Sequence, residues 1–469
     1  MPSEALPPTT AGRLKVAVFA DTAAFSVVVS CSIAIPAIFS IALPDVFALP
    51  KTILAVALAA LLVVLLMIRL IATGLPLRRP QSPLALALGV FVGWNLVAAW
   101  FAIDRTQAIV GEGLQYQGLA TILAYVVFLM AAWTTVRGPR RQDIFLLSVA
   151  AGAALVATYA VIQRAGLDPI WLTLPYDRVF STIGQANALA AYLVVATPLV
   201  LALAARRRRA AQLAVGGVVL LMLVALAFTL SRGGYLGIAA VALVLVIAAL
   251  PRRGRLTSGR QLSAAALVGL IALVVVLSVP ELRTGAERVA ARALLITDLS
   301  ESSILNHLDL WRVGLAIATD HPLVGTGQDT YVLLFGEYRD RVLSPERAVV
   351  MSVFRPESPH NVYLATAAGA GLPALAAYIA IVTAAVARIL RAVRTAVEPR
   401  AWLVGAALLA AIVGHLVTDA FMTAETTGTV LFWMVLGVGA AHASTNLWPD
   451  VPAAEEDRAR RPEAHPGVA

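Results

Sequence analysis

The sequence predicts an all-α polytopic membrane protein of about twelve transmembrane helices, and three observations carry that reading. Of its 469 residues 60% are hydrophobic and only 13% are charged, where a soluble domain carries about a quarter charged. Too little polar surface remains to cover a water-soluble globule, and the mean hydropathy of +0.84 agrees. Apolar runs of spanning length recur along the whole chain, and the basic residues punctuate them. The net charge of +9 therefore sits in connections and not on a nucleic-acid-binding face, so no nucleic-acid partner is expected.

A helix needs about twenty apolar residues to cross the hydrocarbon. Runs of that kind lie at 20–42, 52–72, 83–101, 118–135, 144–163 and 186–205. Six more follow at 211–230, 234–250, 262–280, 361–387, 401–420 and 426–446. Arg13 and Lys15 before the first run resemble a signal peptide, but the run is long and lacks a small-residue cleavage site, so it reads as a membrane helix. The single cysteine, Cys31, lies within that run, which excludes a disulfide framework or a thiol metal cluster inside one chain.

Orientation follows from the lysines and arginines of the short loops. With the N-terminus inside, Arg69, Arg78 and Arg79, then Arg137, Arg140 and Arg141, then Arg206 to Arg209 fall on the cytoplasmic side. Arg252, Arg253, Arg255 and Arg260, and finally Arg388, Arg391, Arg394 and Arg400, fall on the same side. The expected organisation is a cytoplasmic N-terminus at 1–19, helices one to nine at 20–280, and an extracytoplasmic loop domain at 281–360. Helices ten to twelve follow at 361–446, and a disordered cytoplasmic tail at 447–469. Within the long loop, LNHLDLWRVGLAIATDH has helical spacing and stops before Pro322.

Polar groups in or at the rim of a membrane bundle are costly and mark function more often than packing. In TLSRGGYLG (229–237) one helix ends and the next begins almost at once, with Arg232 at the outer rim. It is either a snorkelling arginine or a clamp for an anion, because guanidinium forms bidentate bonds with phosphate oxygens. In YDRVFSTIGQANALAAYL (176–193), Arg178 stands outside a helix whose start holds Asn187, as a cap or beside an anion site. Arg312 follows Trp311 in the loop helix, and the later GTG triplet reads as a tight turn that folds the loop back over the membrane. His360 and Asn361 stand where the loop re-enters the membrane, and a histidine there suits either an interfacial role or general-base work. His307, His321, His442 and His465 read as structural or solvated, while His415 and Asp419 lie one turn apart on the eleventh helix. No cluster has metal-ligand spacing, so neither a metal nor another cofactor is expected.

Taken in order, PK (50–51), GLQYQGL (113–119), RVFSTIGQANALAAYL, SRGGYLG, DLWRVGLAIATDHPLVGTG, HNVYLATAAGAGLPAL, HLVTDAF and a late LFW resemble the O-antigen ligase and polymerase superfamily from about residue 40 to 440. That resemblance implies a bundle of the membrane-bound glycosyltransferase C class, with a loop domain over a lipid-entry cavity in the inner membrane. It implies metal-independent, inverting transfer of a glycan from undecaprenyl diphosphate to an acceptor hydroxyl outside the cytoplasm. It places the catalytic residues at Arg232, Arg312 and His360, with Arg178, Asn187 and Asn361 as substrate-binding residues. The expected partners are the lipid-linked glycan, a glycan or lipid-linked acceptor, and membrane lipid. Polymerase and ligase share this donor, and the sequence does not separate them. A transporter of an anion or glycan lipid is the alternative of another class. The chain lacks the duplicated halves of many transporters, and its polar groups gather at one rim.

Overall fold

Inside lipid a chain can satisfy its backbone within one segment only as a helix. In a computed structural model the protein is helical, with no strand among the described residues. The structure describes residues 8–74, 83–113, 115–171, 177–203, 209–249, 287 and 302–442. The helices before the long loop are α1 (Pro8–Ala37), α2 (Ala48–Thr73), α3 (Pro83–Trp100), the short α4 (Arg105–Val110) and α5 (Leu119–Thr135). Next come α6 (Gly138–Arg164), α7 (Ala186–Ala202), α8 (Arg209–Phe228) and α9 (Arg232–Ala249). After them stand α10 (Ser302–Asp320), α11 (Tyr331–Val342) and α12 (Pro345–Ser352), then α13 (Val362–Thr395), α14 (Pro399–Asp419) and α15 (Thr426–His442).

Eight of these helices are long and apolar enough to cross a membrane, and α5, α7 and α15 are shorter apolar helices. Each coincides with a run read from the sequence. The expected ninth helix at 262–280, the start of the loop domain and the tail at 447–469 lie outside the described residues, 287 excepted. The first helix begins at Pro8, well before residue 20, and α13 runs on to Thr395.

The bundle packs α5 against α15, α1 against α2 and α6, and α3 along α13, with α14 against both α7 and α9. Lipid tails are as apolar as leucine, so helices in a membrane gain by close backbone approach at small residues. At the α9–α14 crossing a Cβ on Gly237 would meet Thr418 Cγ2 at 2.6 Å and the Gly414 carbonyl oxygen at 3.2 Å.

The two ends of the bundle differ. At one, Asp21 pairs with Arg69 at 2.8 Å and Arg141 at 2.5 Å, and Arg400 pairs with Asp143 at 2.6 Å. At the other, the connections bond to one another. The fully buried Lys51 donates to the carbonyls of Ile38 and Thr182, both at 2.6 Å. Gln107 donates to the Asp329 carbonyl at 2.7 Å.

At the connection end, α10, α11 and α12 share a small core of Leu310, Val313, Ile317, Tyr331, Phe335 and Met351, seated on Ala367 and Ala368 of α13. Their attachment follows from a defect in α13. Pro373 has no N–H to give the Gly369 carbonyl, and Gly371 leaves the helix with φ +81° and ψ 170°. The freed groups bond to the loop instead. Thr326 N–H donates to Ala368 O (2.9 Å), Gly327 N–H to Gly369 O (2.8 Å) and Leu372 N–H to Pro322 O (2.8 Å). Gly327 makes its contact at φ +109°, which a residue with a Cβ rarely adopts. The GTG triplet is thus a turn fitted to the break in α13.

Candidate functional site

Three separate elements meet at the connection end. The first is the reversal between α8 and α9. Ser231 Oγ accepts from Gly234 N–H at 3.3 Å and so caps α9. Arg232 follows directly, at a helix N-terminus where free amides favour anions. Its guanidinium nitrogens are closed off from solvent. Arg178 braces this reversal, with Nε donating to the Thr229 carbonyl (2.7 Å) and Nη2 to Asn187 Oδ1 (2.5 Å). Arg178 and Asn187 thus hold each other, and the helix cap position falls on Gln185.

The second element is the turn 358–361. His360 adopts φ +49° and its N–H donates to Ser358 Oγ at 3.1 Å. Its Nδ1 lies 2.7 Å from Thr423 Oγ1, which in turn lies 2.7 Å from Ser358 Oγ. Asn361 caps α13 through Leu364 N–H (3.0 Å) and donates to the Ala420 carbonyl (3.1 Å). With Nδ1 engaged by Thr423, proton exchange falls to Nε2.

The third element is α10, and it carries a residue that the sequence reading passed over. The ring of His307 meets that of His360 edge to face, with centroids 5.5 Å apart. Burial and then the Arg232 charge act on His307 and disfavour its protonated form. Its Nδ1 is buried without a hydrogen-bond partner. One turn on, Trp311 lies 5.9 Å from Phe421, and a Cβ on Gly314 would meet Pro359 at 3.0 Å. His307, Trp311 and Gly314 form one helical stripe, spaced i, i+4, i+7. That spacing was the available signal. Arg312 leaves α10 about 100° further round than Trp311. Its side chain is 63% exposed and pairs with Asp309 at 3.2 Å. The structure therefore sets His307 against His360. The start of α9 lies beside them through Phe421, which a Cβ on Gly233 would meet at 3.2 Å and which Trp311 meets. Arg312 is not in that contact set.

Burial, and then the neighbouring His307, pushes the His360 imidazole down to about 4. Burial, and then Arg232, lowers His307 in the same sense. Both rings are neutral near pH 7, which leaves His360 able to take up a proton. Among the described residues, the non-glycine residues with positive φ are Tyr116, Asp177, Ser181, Leu230, Asp329 and His360, all in connections at this end. Such backbone strain gathers where a fold holds groups for function. Deeper in the bundle, His415 Nε2 and Asp419 Oδ1 pair at 3.3 Å as their spacing predicts.

The turn 358–361 also has a second face. Ser358, Pro359, Asn361 and Thr423 line a cavity that no residue of α9 or α10 lines.

Residues 217–379 match the family model described as O-antigen ligase. The matched stretch contains Arg232, His307, Arg312 and His360, and leaves out Arg178 and Asn187. No curated protein matches the chain.

Proposed function

Residues 217–379 make this chain a member of the O-antigen ligase superfamily, and we propose that it is a metal-independent, inverting glycosyltransferase. In this reading it moves a glycan from undecaprenyl diphosphate to an acceptor hydroxyl on the outer side of the cytoplasmic membrane, with both chain termini inside. The observation that carries the reading is the ring contact of His307 with His360 at one end of an apolar bundle, with the α8–α9 reversal that bears Arg232 packed beside it on Phe421 and Met422.

Arg232 and the amides at the start of α9 receive the diphosphate. Guanidinium and helix N-terminus stabilise the charge that develops on the leaving group, in surroundings poor in water. The acceptor oxygen attacks the anomeric carbon as the bond from that carbon to the diphosphate oxygen breaks. The electron pair stays on the diphosphate, and the acceptor proton passes to His360 Nε2. A single displacement of this kind inverts the anomeric centre. For Nε2 to be the free acceptor, Nδ1 must carry the hydrogen and donate it to Thr423 Oγ1, which is the role of the 2.7 Å contact.

Arg312 is proposed as the second cation for the diphosphate. Its guanidinium is solvent-exposed and holds the buried Asp309 by a single 3.2 Å contact. Asp309 keeps Arg347 at 2.6 Å when Arg312 leaves it. Arg178 and Asn187 serve indirectly, by holding the reversal that presents Arg232.

The test is incubation of purified protein with a lipid-linked glycan and candidate acceptors, followed by separation of the products. A ligated acceptor supports ligase activity, and a longer lipid-linked chain supports polymerase activity on the same donor. Loss of product with Arg232→Ala and with His360→Ala, at unchanged protein abundance in the membrane, is expected. Full activity of His360→Ala removes the general-base assignment. Loss of activity with chelator and its return with magnesium removes the metal-independent one.

A further inference from the structure

The cavity behind the His360 turn differs in chemistry from the Arg232 side. Among the described residues, no lysine or arginine lines it. Its rim carries Gln115, Gln117 and Glu357, and its wall is aromatic. Trp433 is the hub of that wall, with ring centroids 5.6 Å from Phe91, 6.3 Å from Tyr125 and 6.3 Å from Tyr378. Gln117 is locked, since its Oε1 accepts from Tyr125 OH at 2.7 Å and its backbone N–H reaches Asp329 Oδ2 at 3.0 Å. Gln115 and Glu357, by contrast, meet across the mouth at only 3.5 Å, which is too long for a strong bond. Both are therefore available to a ligand at little cost.

These features select an occupant. A diphosphate would find no cation here and would face Glu357. An alkyl chain would fill the aromatic wall but leave the rim carboxylate and amides unpaired, which is unfavourable. A sugar presents C–H faces to aromatic rings and hydroxyl donors to carboxylate and amide oxygens, and apolar pockets with a few convergent polar groups suit such ligands. The cavity shares Ser358, Asn361 and Thr423 with the turn that holds His360. A sugar bound there lies against Ser358, Asn361 and Thr423, in the same turn and contact set that hold His360.

We propose that this cavity binds the terminal sugar residues of the acceptor glycan, with Glu357 and Gln115 as residues that select it. Calling that glycan the acceptor rests on the transferase reading above; carbohydrate binding by the cavity does not. The donor diphosphate and the acceptor sugar then approach His360 from two faces, and neither competes for the other's contacts.

The experiment uses the full chain in detergent or nanodiscs, without donor. Oligosaccharide released by mild acid from the envelope glycan of the source cells is titrated while tryptophan fluorescence is followed. Saturable quenching is expected in the unmodified protein and in Arg232→Ala, and Trp433→Phe should remove most of the signal. Glu357→Gln and Gln115→Ala should each weaken the half-saturation point about tenfold, the scale of one lost hydrogen bond to a charged or polar rim group. In the transfer assay the same two variants should raise the acceptor KM and leave the donor KM within about twofold. Quenching that persists at the same concentration in Glu357→Gln, or is weakened equally by Arg232→Ala, overturns the proposal. Absence of any saturable quenching overturns it too. Glu357-dependent quenching in a protein that transfers nothing upholds the pocket and removes the transferase reading.

Discussion

The two faces of the 358–361 turn make an instructive contrast. On one lie Arg232 and His307, nitrogen groups drawn from the starts of α9 and α10. On the other lie Gln115, Glu357 and the aromatic wall around Trp433, with no lysine or arginine among the described residues. His360 belongs to the strained turn between them. A single-displacement transfer needs this division, because the leaving group develops negative charge and the nucleophile gives up a proton. In the proposed transfer, separating the groups assigned to the diphosphate from those assigned to the sugar keeps each substrate out of the other's place.

The largest effect expected is on the cationic face and the turn. Arg232→Ala and His360→Ala should each lower kcat by about a thousandfold, the range of lost electrostatic stabilisation or of a lost general base. A residual rate near that of the unmodified protein would break the contrast at once. Next comes Thr423. Thr423→Val leaves His360 Nδ1 without its partner and should cost about tenfold in kcat, while Thr423→Ser, which keeps the hydroxyl, should recover most of it. Equal losses in both would make Thr423 a packing residue.

The pH profile sharpens the same point. His360 accepts a proton only when neutral, and in the free protein it is held down to about 4 by burial and then by His307. The acid limb of kcat/KM, which reports the free enzyme, should therefore fall near that value and well below the usual histidine range. A bound diphosphate favours the protonated ring, so the limb of kcat should lie at higher pH than that of kcat/KM. Coincident limbs would mean that the anion does not sit beside the imidazole. The smallest effect is expected for Arg312→Ala, an increase of about threefold in donor KM, in keeping with an exposed side chain that must leave a weak pair before it can help.

Much of the architecture was legible because hydropathy in lipid is a coarse, local signal. Runs of apolar residues and the arginines between them mark helices and connections without any knowledge of packing. The positions of Arg232 and His360 at one end of the bundle were legible for a related reason, since each is a polar residue at the edge of an apolar run. His307 and Arg312 lie on the same helix, and which of them meets the His360 ring was not legible. Which face of α10 meets the bundle depends on where Leu310, Val313 and Ile317 find their core, and that depends on α13. The break in α13 was half legible. Gly371 and Pro373 announce a distortion, but nothing local says that residues 322, 326 and 327 will bond there. The cavity was the least legible part, because its rim and wall come from α3, α5, α13, α14, α15 and the connections between them.

The seam between the loop helices and α13 has a consequence for how such a protein changes over time. Hydrogen bonds at 322, 326 and 327 join main chain to main chain, so the seam asks for glycine and proline at a few positions and is indifferent to most side chains around it. The outer surfaces of α10, α11 and α12 can then accumulate substitutions while their position over the bundle is inherited unchanged, because the fastening is written in backbone.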